Sequence, residues 1–267
     1  MKNEEMKIDL YQVDAFTDTL FGGNPACVVP LDSWLSDELM FQITRENAVP
    51  ETAFFIDNGD VIQLRWFTPE IEMDLCGHAT LATAHVLKSI LKKTSPFLVF
   101  ETLSGTLTVK FKDGFYVLDF PSRMPLSSDL PDVLKNALSI QPREVFKARD
   151  FVLIYDSESD IKNIKINRQY FDRLNMGAGG VIVTSKGNEC DFVSRFFTPK
   201  ALLLEDPVTG SAHCSLTPFW SKRFKKKILE AQQISARRGK ITCEDKDDRV
   251  LLKGQARTYS IGSFWIK

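Results

Sequence analysis

Long apolar runs are missing from this chain: no stretch reaches the roughly 18 apolar residues that span a bilayer. Cysteine is scarce. Five occur in 267 residues (Cys27, Cys76, Cys190, Cys214, Cys243), an odd number without CxxC spacing. That count argues against a disulfide framework and a zinc knuckle, and makes the thiol-reducing cytoplasm the expected compartment. Three scattered histidines (His78, His85, His213) leave little room for a metal cluster. Excess charge of one sign is lacking as well, since 34 Lys+Arg against 35 Asp+Glu leave a net of -1. A basic chain built for nucleic acid is excluded. The start MKNEEMKIDLYQ lacks the apolar core of a signal peptide. With 43% hydrophobic and 26% charged residues, what remains is a globular chain of one large or two ordinary domains. Its chemistry is expected to use carboxylates, backbone amides and one thiol.

The chain repeats itself. Arg65-Trp-Phe-Thr-Pro-Glu70 recurs as Arg195-Phe-Phe-Thr-Pro-Lys200, an offset of 130. Asp74-Leu-Cys-Gly-His-Ala79 faces Asp206-Pro-Val-Thr-Gly-Ser-Ala212, and Thr52–Ile56 faces Gly180–Thr184. Three blocks in one order, with offsets between 128 and 133, predict two similar halves. The turn-rich Pro121–Pro131 segment is the expected boundary, giving halves 1–125 and 126–267, with the last strand (258–267) returning to the first half.

Alternating Ile62, Leu64 and Trp66 predict a strand, and 107–111 and 116–120 form a hairpin around Asp113-Gly114. Helices are expected over Ala79–Lys93, Ser211–Lys227, from Ser36 to Asn47, and over Asn167–Met176. Each half therefore reads as strands, a long helix, then more strands, an α/β (α+β) chain.

Two segments that follow a strand and open a helix, Asp74–Thr80 and Glu205–Ala212, carry the sharpest chemical signal. Free amides at a helix start, with the helix dipole, make an anion site. One in each half suggests a cleft where two such starts meet a carboxylated substrate. The residues alone leave a plainer alternative open, in which Gly77 and Gly210 permit tight turns and the aspartates cap helices. Glu51, after Pro50 and at the head of an apolar strand, sits at an element end where partial desolvation suits a proton carrier; an exposed strand-end glutamate is the alternative.

Phe21-Gly-Gly-Asn-Pro-Ala-Cys-Val-Val29, Glu51-Thr-Ala-Phe54, Asp74-Leu-Cys-Gly-His-Ala-Thr-Leu-Ala82, Glu205–Ala212 and Gln233-Ile-Ser-Ala-Arg-Arg-Gly239 occur in that order. Together they resemble the PhzF-like phenazine-biosynthesis isomerase family, within the diaminopimelate epimerase-like superfamily, from about Ile8 to the C-terminus. The resemblance implies two pseudo-symmetric domains, each a β-sheet wrapped around a long central helix, with the active site between them. It also implies cofactor-free proton-shift chemistry on a small anionic metabolite, and a homodimer. Carried over position by position, Glu51 is the proton-transferring glutamate, and His78 and Asp206 complete the catalytic set. Asn24, Gly77, Ala79, Gly210, Ser211 and Ala212 contact substrate. No metal, cofactor, nucleic acid or membrane is expected.

Departures from the pattern matter. Two-cysteine epimerases of the superfamily place a thiol at each helix start; here the first keeps Cys76 but the second offers Thr209-Gly-Ser211. An unaided serine hydroxyl cannot replace a thiol, so Cys76 reads as a small buried residue. Cys27 and His213-Cys214 stand where the phenazine-pathway enzymes are expected to have small residues, so the substrate need not be the phenazine precursor. Rival readings are a Cys76-assisted amino-acid epimerase or racemase, and a non-catalytic binding module that kept the cleft. Lys222–Lys227 reads as a solvated helix end, Gly177–Gly180 as a strand lead-in rather than a nucleotide loop, and His85 as a packing or surface residue. Chelator treatment should leave turnover intact and elemental analysis should find no stoichiometric metal; a tightly bound zinc or flavin would overturn the cofactor-free reading.

Overall fold

The computed structural model describes residues 5–177 and 179–267. The chain divides into two compact units, Met1–Leu118 with Gly254–Lys267, and Asp119–Lys253. Residues 119–125, expected in the first half, group with unit 2, because Ser122 N donates to Asp248 O and Arg123 N to Cys214 O, each at 2.9 Å. Among the described residues no helix is long and apolar enough to cross a membrane.

In unit 1 the chain runs β1 (Met6–Ala15), β2 (Asn24–Pro30), α1 (Asp37–Asn47), β3 (Glu51–Asp57), β4 (Val61–Phe67), β5 (Glu72–Met73), α2 (Gly77–His85), β6 (Phe97–Thr102), β7 (Gly105–Lys112) and β8 (Phe115–Pro121). The pairs β2/β3 and β4/β6 are parallel, each closed by a helical crossover, and the other pairs are antiparallel. The C-terminal strand Ala256–Ile266 returns to pair antiparallel with β1, Met6 opposite Ile266.

Local chemistry sets the helix ends. Ser36 Oγ accepts from Leu39 N to cap α1, Asp37 and Glu38 favour its positive end, and Ala48 closes it in the left-handed region at φ 52°. Pro50 then disfavours helical backbone at Val49, so the helix does not run on towards β3. Every residue of α2 is buried, His78 and His85 included, and the helix packs on β1, β2 and β3. The helix expected to Lys93 ends instead in a π turn, Val86–Ile90, where Leu91 N reaches Val86 O. His85 packs inside, with Nε2 2.8 Å from Thr258 Oγ1 and Nδ1 3.1 Å from Tyr116 OH.

Unit 2 repeats the order with β9 (Leu126–Ser127), α3 (Asp132–Ala137), β10 (Glu144–Lys147), β11 (Phe151–Ile154), α4 (Glu158–Asn163), α5 (Arg168–Phe171), β12 (Val181–Lys186), β13 (Phe192–Phe197), β14 (Glu205–Asp206), α6 (Gly210–Phe224), β15 (Ile228–Gln233), β16 (Gly239–Lys246) and β17 (Arg249–Gly254). Here β11/β12 and β13/β15 are the parallel pairs, matching β2/β3 and β4/β6. The strand 256–266, now β18, completes the count. The helix expected over 167–176 covers only Arg168–Phe171. Asp172 leaves it to accept from Lys200 N, and Gly177, at φ 57°, turns the chain towards β12. The Gly177–Gly180 lead-in includes residue 178, which lies outside the described residues.

The repeated Arg-x-Phe-Thr-Pro motif has one structure in both units. Arg65 forks onto Glu72 with two bonds of 2.7 Å and stacks over Phe67; Arg195 forks onto Glu205 at 2.7 and 2.8 Å and stacks over Phe197. The loop closed by Thr68 N→Ile71 O is three residues shorter than that closed by Thr198 N→Leu204 O, which raises the offset from 130 to 133. The register therefore pairs Asp206 with Met73, not with Asp74 as the motif comparison had it: Met73 lies opposite Trp66 and Asp206 opposite Phe196.

Leu81 is fully buried at the centre of α2. Leu81→Ala should lower the unfolding free energy by about 2–5 kcal/mol, the transfer loss plus a cavity that neighbours on several strands cannot fill. Urea unfolding followed by tryptophan fluorescence checks this.

Candidate active site

Three sequence-separated residues meet in unit 1. Asn24 opens β2, Glu51 opens β3, and His78 is the second residue of α2. The parallel register, Ala26 opposite Glu51, brings the two strand heads together beside the helix start. Asn24 Nδ2 lies 3.1 Å from His78 Nδ1, and Cys76 Sγ is 3.6 Å from the same nitrogen. The opposite nitrogen, Nε2, is 3.0 Å from Glu51 Oε2, an ion-pair contact out of line for a hydrogen bond. The Glu51 side chain is 13% exposed and that of His78 3%, and the two facing atoms, Glu51 Oε2 and His78 Nε2, are both buried.

Burial would lower the His78 pKa, but Cys76 and Glu51 outweigh it and hold the imidazole well above its ordinary 6.5. Burial pushes the Cys76 thiol up, with Glu51 adding to it and His78 opposing. Burial thus works against a thiolate at Cys76. Glu51, Cys76 and His78 also present an oxygen, a sulfur and a nitrogen within 4.8 Å of one another. A metal could be held there only by a deprotonated thiol, which burial disfavours.

Cys76 stands at the N-cap of α2 without a side-chain cap bond, as Thr209 does for α6. Gly77 and Ala79, and Gly210 and Ala212, lie at these helix starts as expected. In unit 2 Asp206 accepts from Thr209 Oγ1, while Gln233 bonds Asp206 O at 2.7 Å and Thr209 N at 2.8 Å. Asp206 and the Gln233 motif thus build the turn into α6. Ser211, the register equivalent of His78, accepts from Arg149 Nη2 at 2.9 Å. Sequence reasoning missed Arg149; an Arg-Asp pair directly ahead of the fully apolar strand Phe151–Ile154 was the available signal.

The units differ where it matters chemically. Thr52 opposes Phe67 as Val181 opposes Phe197, so the counterpart of Glu51 is Gly180. A Cβ there would lie 2.4 Å from the Phe196 ring and 2.7 Å from Phe197 O. Unit 2 has no space for a second acid at this position.

Residues 13–262 match the family described as phenazine biosynthesis-like protein. An uncharacterized isomerase of Pseudomonas aeruginosa is 45% identical over 259 residues, which is 97% of this chain and 99% of that relative. The crystal structure of a PhzF-family phenazine biosynthesis protein from Enterococcus faecalis is 42% identical, covers 98% of this chain and 100% of that one, and superposes with a TM-score of 0.92. A hydroxyproline epimerase from Agrobacterium vitis, at 12% identity and a TM-score of 0.64 over 97% of this chain and 93% of its own, shares the fold alone.

A histidine held above its ordinary pKa in the folded state stabilises the protein fully below about pH 6.5, and that contribution is lost as pH rises through the folded value. Wild type should therefore lose stability relative to His78→Gln between about pH 6.5 and 8.5, below the range where thiols ionise. Urea midpoints of both proteins across that window test it; parallel pH curves would contradict the assignment.

Proposed function

The chain belongs to the phenazine biosynthesis-like protein family, and from that kinship we propose that it is an isomerase working through a single glutamate, Glu51. The observation that supports this reading most is the mostly buried Glu51 carboxylate set 3.0 Å from His78 Nε2. The substrate class is a small carboxylated metabolite, whose carboxyl group acidifies the adjacent C–H bond.

Glu51 takes the proton from one carbon, leaving an enolate-type anion and a neutral carboxylic acid. The same acid then returns the proton to a second carbon on the same face of the substrate, and the carboxylate is regenerated. Shielding from water keeps the proton from exchanging between the two steps. His78 turns Nε2 to Glu51 because Asn24 and Cys76 occupy the Nδ1 side. Its positive charge steadies Glu51 when ionised and offsets the negative charge that develops on the substrate. The uncapped amides of Gly77–Ala79 are donors for an anionic oxygen. To Asp206, Gly210, Ser211 and Ala212 in unit 2 we assign substrate contacts, and to the protein a homodimeric assembly.

A Cys76-assisted epimerisation has one observation in its favour, the thiol beside His78. Two weigh against it: burial opposes the thiolate, and Thr209 occupies the matching helix start. A purely binding role gives no reason for a mostly buried acid set beside an imidazole.

Glu51→Gln is nearly isosteric and should fold, yet lose about 10²–10⁴-fold in rate. The assay is NMR of metabolite mixtures in deuterated water, following the compound that shifts its double bond or gains deuterium. Once that compound is identified, a Glu51→Gln rate above about a tenth of wild type would reject the single-glutamate mechanism, and full inactivation by Cys76→Ser would favour the thiol route.

A further inference from the structure

We propose that Ser104, at the tip of the β6–β7 hairpin, is a positioning residue for the Glu51–His78 pair: its hydroxyl fixes the start of α2 and so sets where the imidazole stands against the acid. Ser104 Oγ donates to Asp74 O at 2.6 Å, across 30 residues of sequence. Asp74 stands two residues ahead of Cys76, the N-cap of α2, and four ahead of His78. Between them Leu75 and Cys76 are buried, which leaves the chain little slack. A displacement at Asp74 therefore carries into Cys76 and His78 rather than being absorbed on the way.

Unit 2 holds the start of α6 with the same device. Gln63 lies opposite Glu101 in the parallel pair β4/β6, and Val193 opposite Gln232 in β13/β15. With the strand offset of 130, that register makes Thr102 the equivalent of Gln233 and Ser104 the equivalent of Ser235. Ser235 Oγ donates to Pro207 O at 2.8 Å, and Pro207 stands two residues ahead of Thr209, the N-cap of α6. The hairpin tips differ in length, with two residues between Thr102 and Gly105 against five between Gln233 and Gly239. Each nevertheless sets a serine hydroxyl on the carbonyl two residues before its long helix, so the contact answers to the helix start and not to the shape of the turn.

The units differ in redundancy. Gln233 also grips the α6 start, through Thr209 N and Asp206 O. Thr102, at the same place in unit 1, donates its hydroxyl to Gly105 O at 2.8 Å within its own turn. The start of α2 thus relies on Ser104 where that of α6 has two side chains, and α2 is the helix that carries the imidazole. An exposed bond of this kind adds only modestly to stability, so what it governs is position. The consequence for turnover rests on Glu51 as the proton carrier; the consequence for His78 does not.

Ser104→Ala, Ser104→Thr and Ser235→Ala are compared with wild type in two measurements, with thermal melts showing that each is folded. The first is an NMR titration of the His78 ring in protein labelled with ¹⁵N-histidine, which needs no substrate. Cys76, Glu51 and Asn24 face this ring. In Ser104→Ala the His78 titration should fall towards its ordinary 6.5. The expected shift is about half a pH unit, what lengthening a close ion-pair contact by roughly half an ångström gives at an effective dielectric of about 20. Ser104→Thr keeps a hydroxyl and should titrate like wild type, and Ser235→Ala, the same loss in unit 2, should leave His78 unmoved. The second measurement is turnover of the compound found by deuterium exchange. In Ser104→Ala kcat should drop about tenfold with KM little changed, the scale of a misplacement of roughly half an ångström. A His78 titration identical in wild type and Ser104→Ala, or shifted equally by Ser235→Ala, would overturn the positioning role. A shifted His78 with wild-type turnover would uphold it and reject the part given to His78 in catalysis, so the two readings fail separately.

Discussion

The arginine–glutamate fork that closes the strand pair ahead of each long helix is the contact on which both units are organised. Arg65 joins three elements at once: it stands on β4, grips Glu72 on β5, and reaches Asp37 at the start of α1 at 3.0 Å. Arg195 does the same from β13, gripping Glu205 on β14 and donating to the carbonyls of Ile161 and Ile164, in and just after α4. Two parallel charge-assisted bonds in a partly buried setting fix direction as well as distance. The short strand is held in register, and the helix that follows must begin where its start meets the strand heads. The positions of Cys76, His78, Thr209 and Ser211 follow from that geometry.

From this common frame the two halves have parted in chemistry. Unit 1 places a carboxylate against an imidazole; unit 2 replaces the carboxylate with glycine and the imidazole with serine, and backs the serine with arginine. The first arrangement sets an acid beside an imidazole, and the second offers fixed positive charge. Burial disfavours the charged form of both histidines, but their neighbours differ: Cys76 and Glu51 hold His78 well above its ordinary value, whereas His213, fully buried with only Thr209 O bonded to Nδ1, is lowered to about 4 and stays neutral. The same desolvation therefore produces a charged group or an inert one, according to whether a carboxylate is near.

Much of the frame was legible in the residues. The Ser36 cap and the alternating strand at 61–67 reflect short-range rules that the fold obeys; of the repeated blocks the Arg-x-Phe-Thr-Pro pair keeps its offset of 130, while Thr52 matches Val181 rather than Gly180 and Asp206 matches Met73 rather than Asp74. The meeting of Asn24, Glu51 and His78 was not derivable from spacing, since they lie on three elements joined by a parallel register, and only family resemblance pointed to it. At the shortened end of 167–176, Asp172 accepts from Lys200, 28 residues away in sequence. Arg149 escaped notice because its partner Ser211 is 62 residues away. The one-residue error in matching Asp206 came from a loop lengthened by three, which no comparison of motifs alone could place.

Gly180 makes the divergence of the halves a ratchet. In a freshly duplicated ancestor either half could have held the acid, and the role could have passed between them by point mutation. With the Phe196 ring and the Phe197 carbonyl now crowding the site of any side chain, a glutamate gained at position 180 would meet a wall rather than a cleft. Regaining a second acid would demand a smaller residue at 196 and a shifted β13 at the same time. Anyone engineering a second acid into this scaffold should begin with residue 196 rather than residue 180.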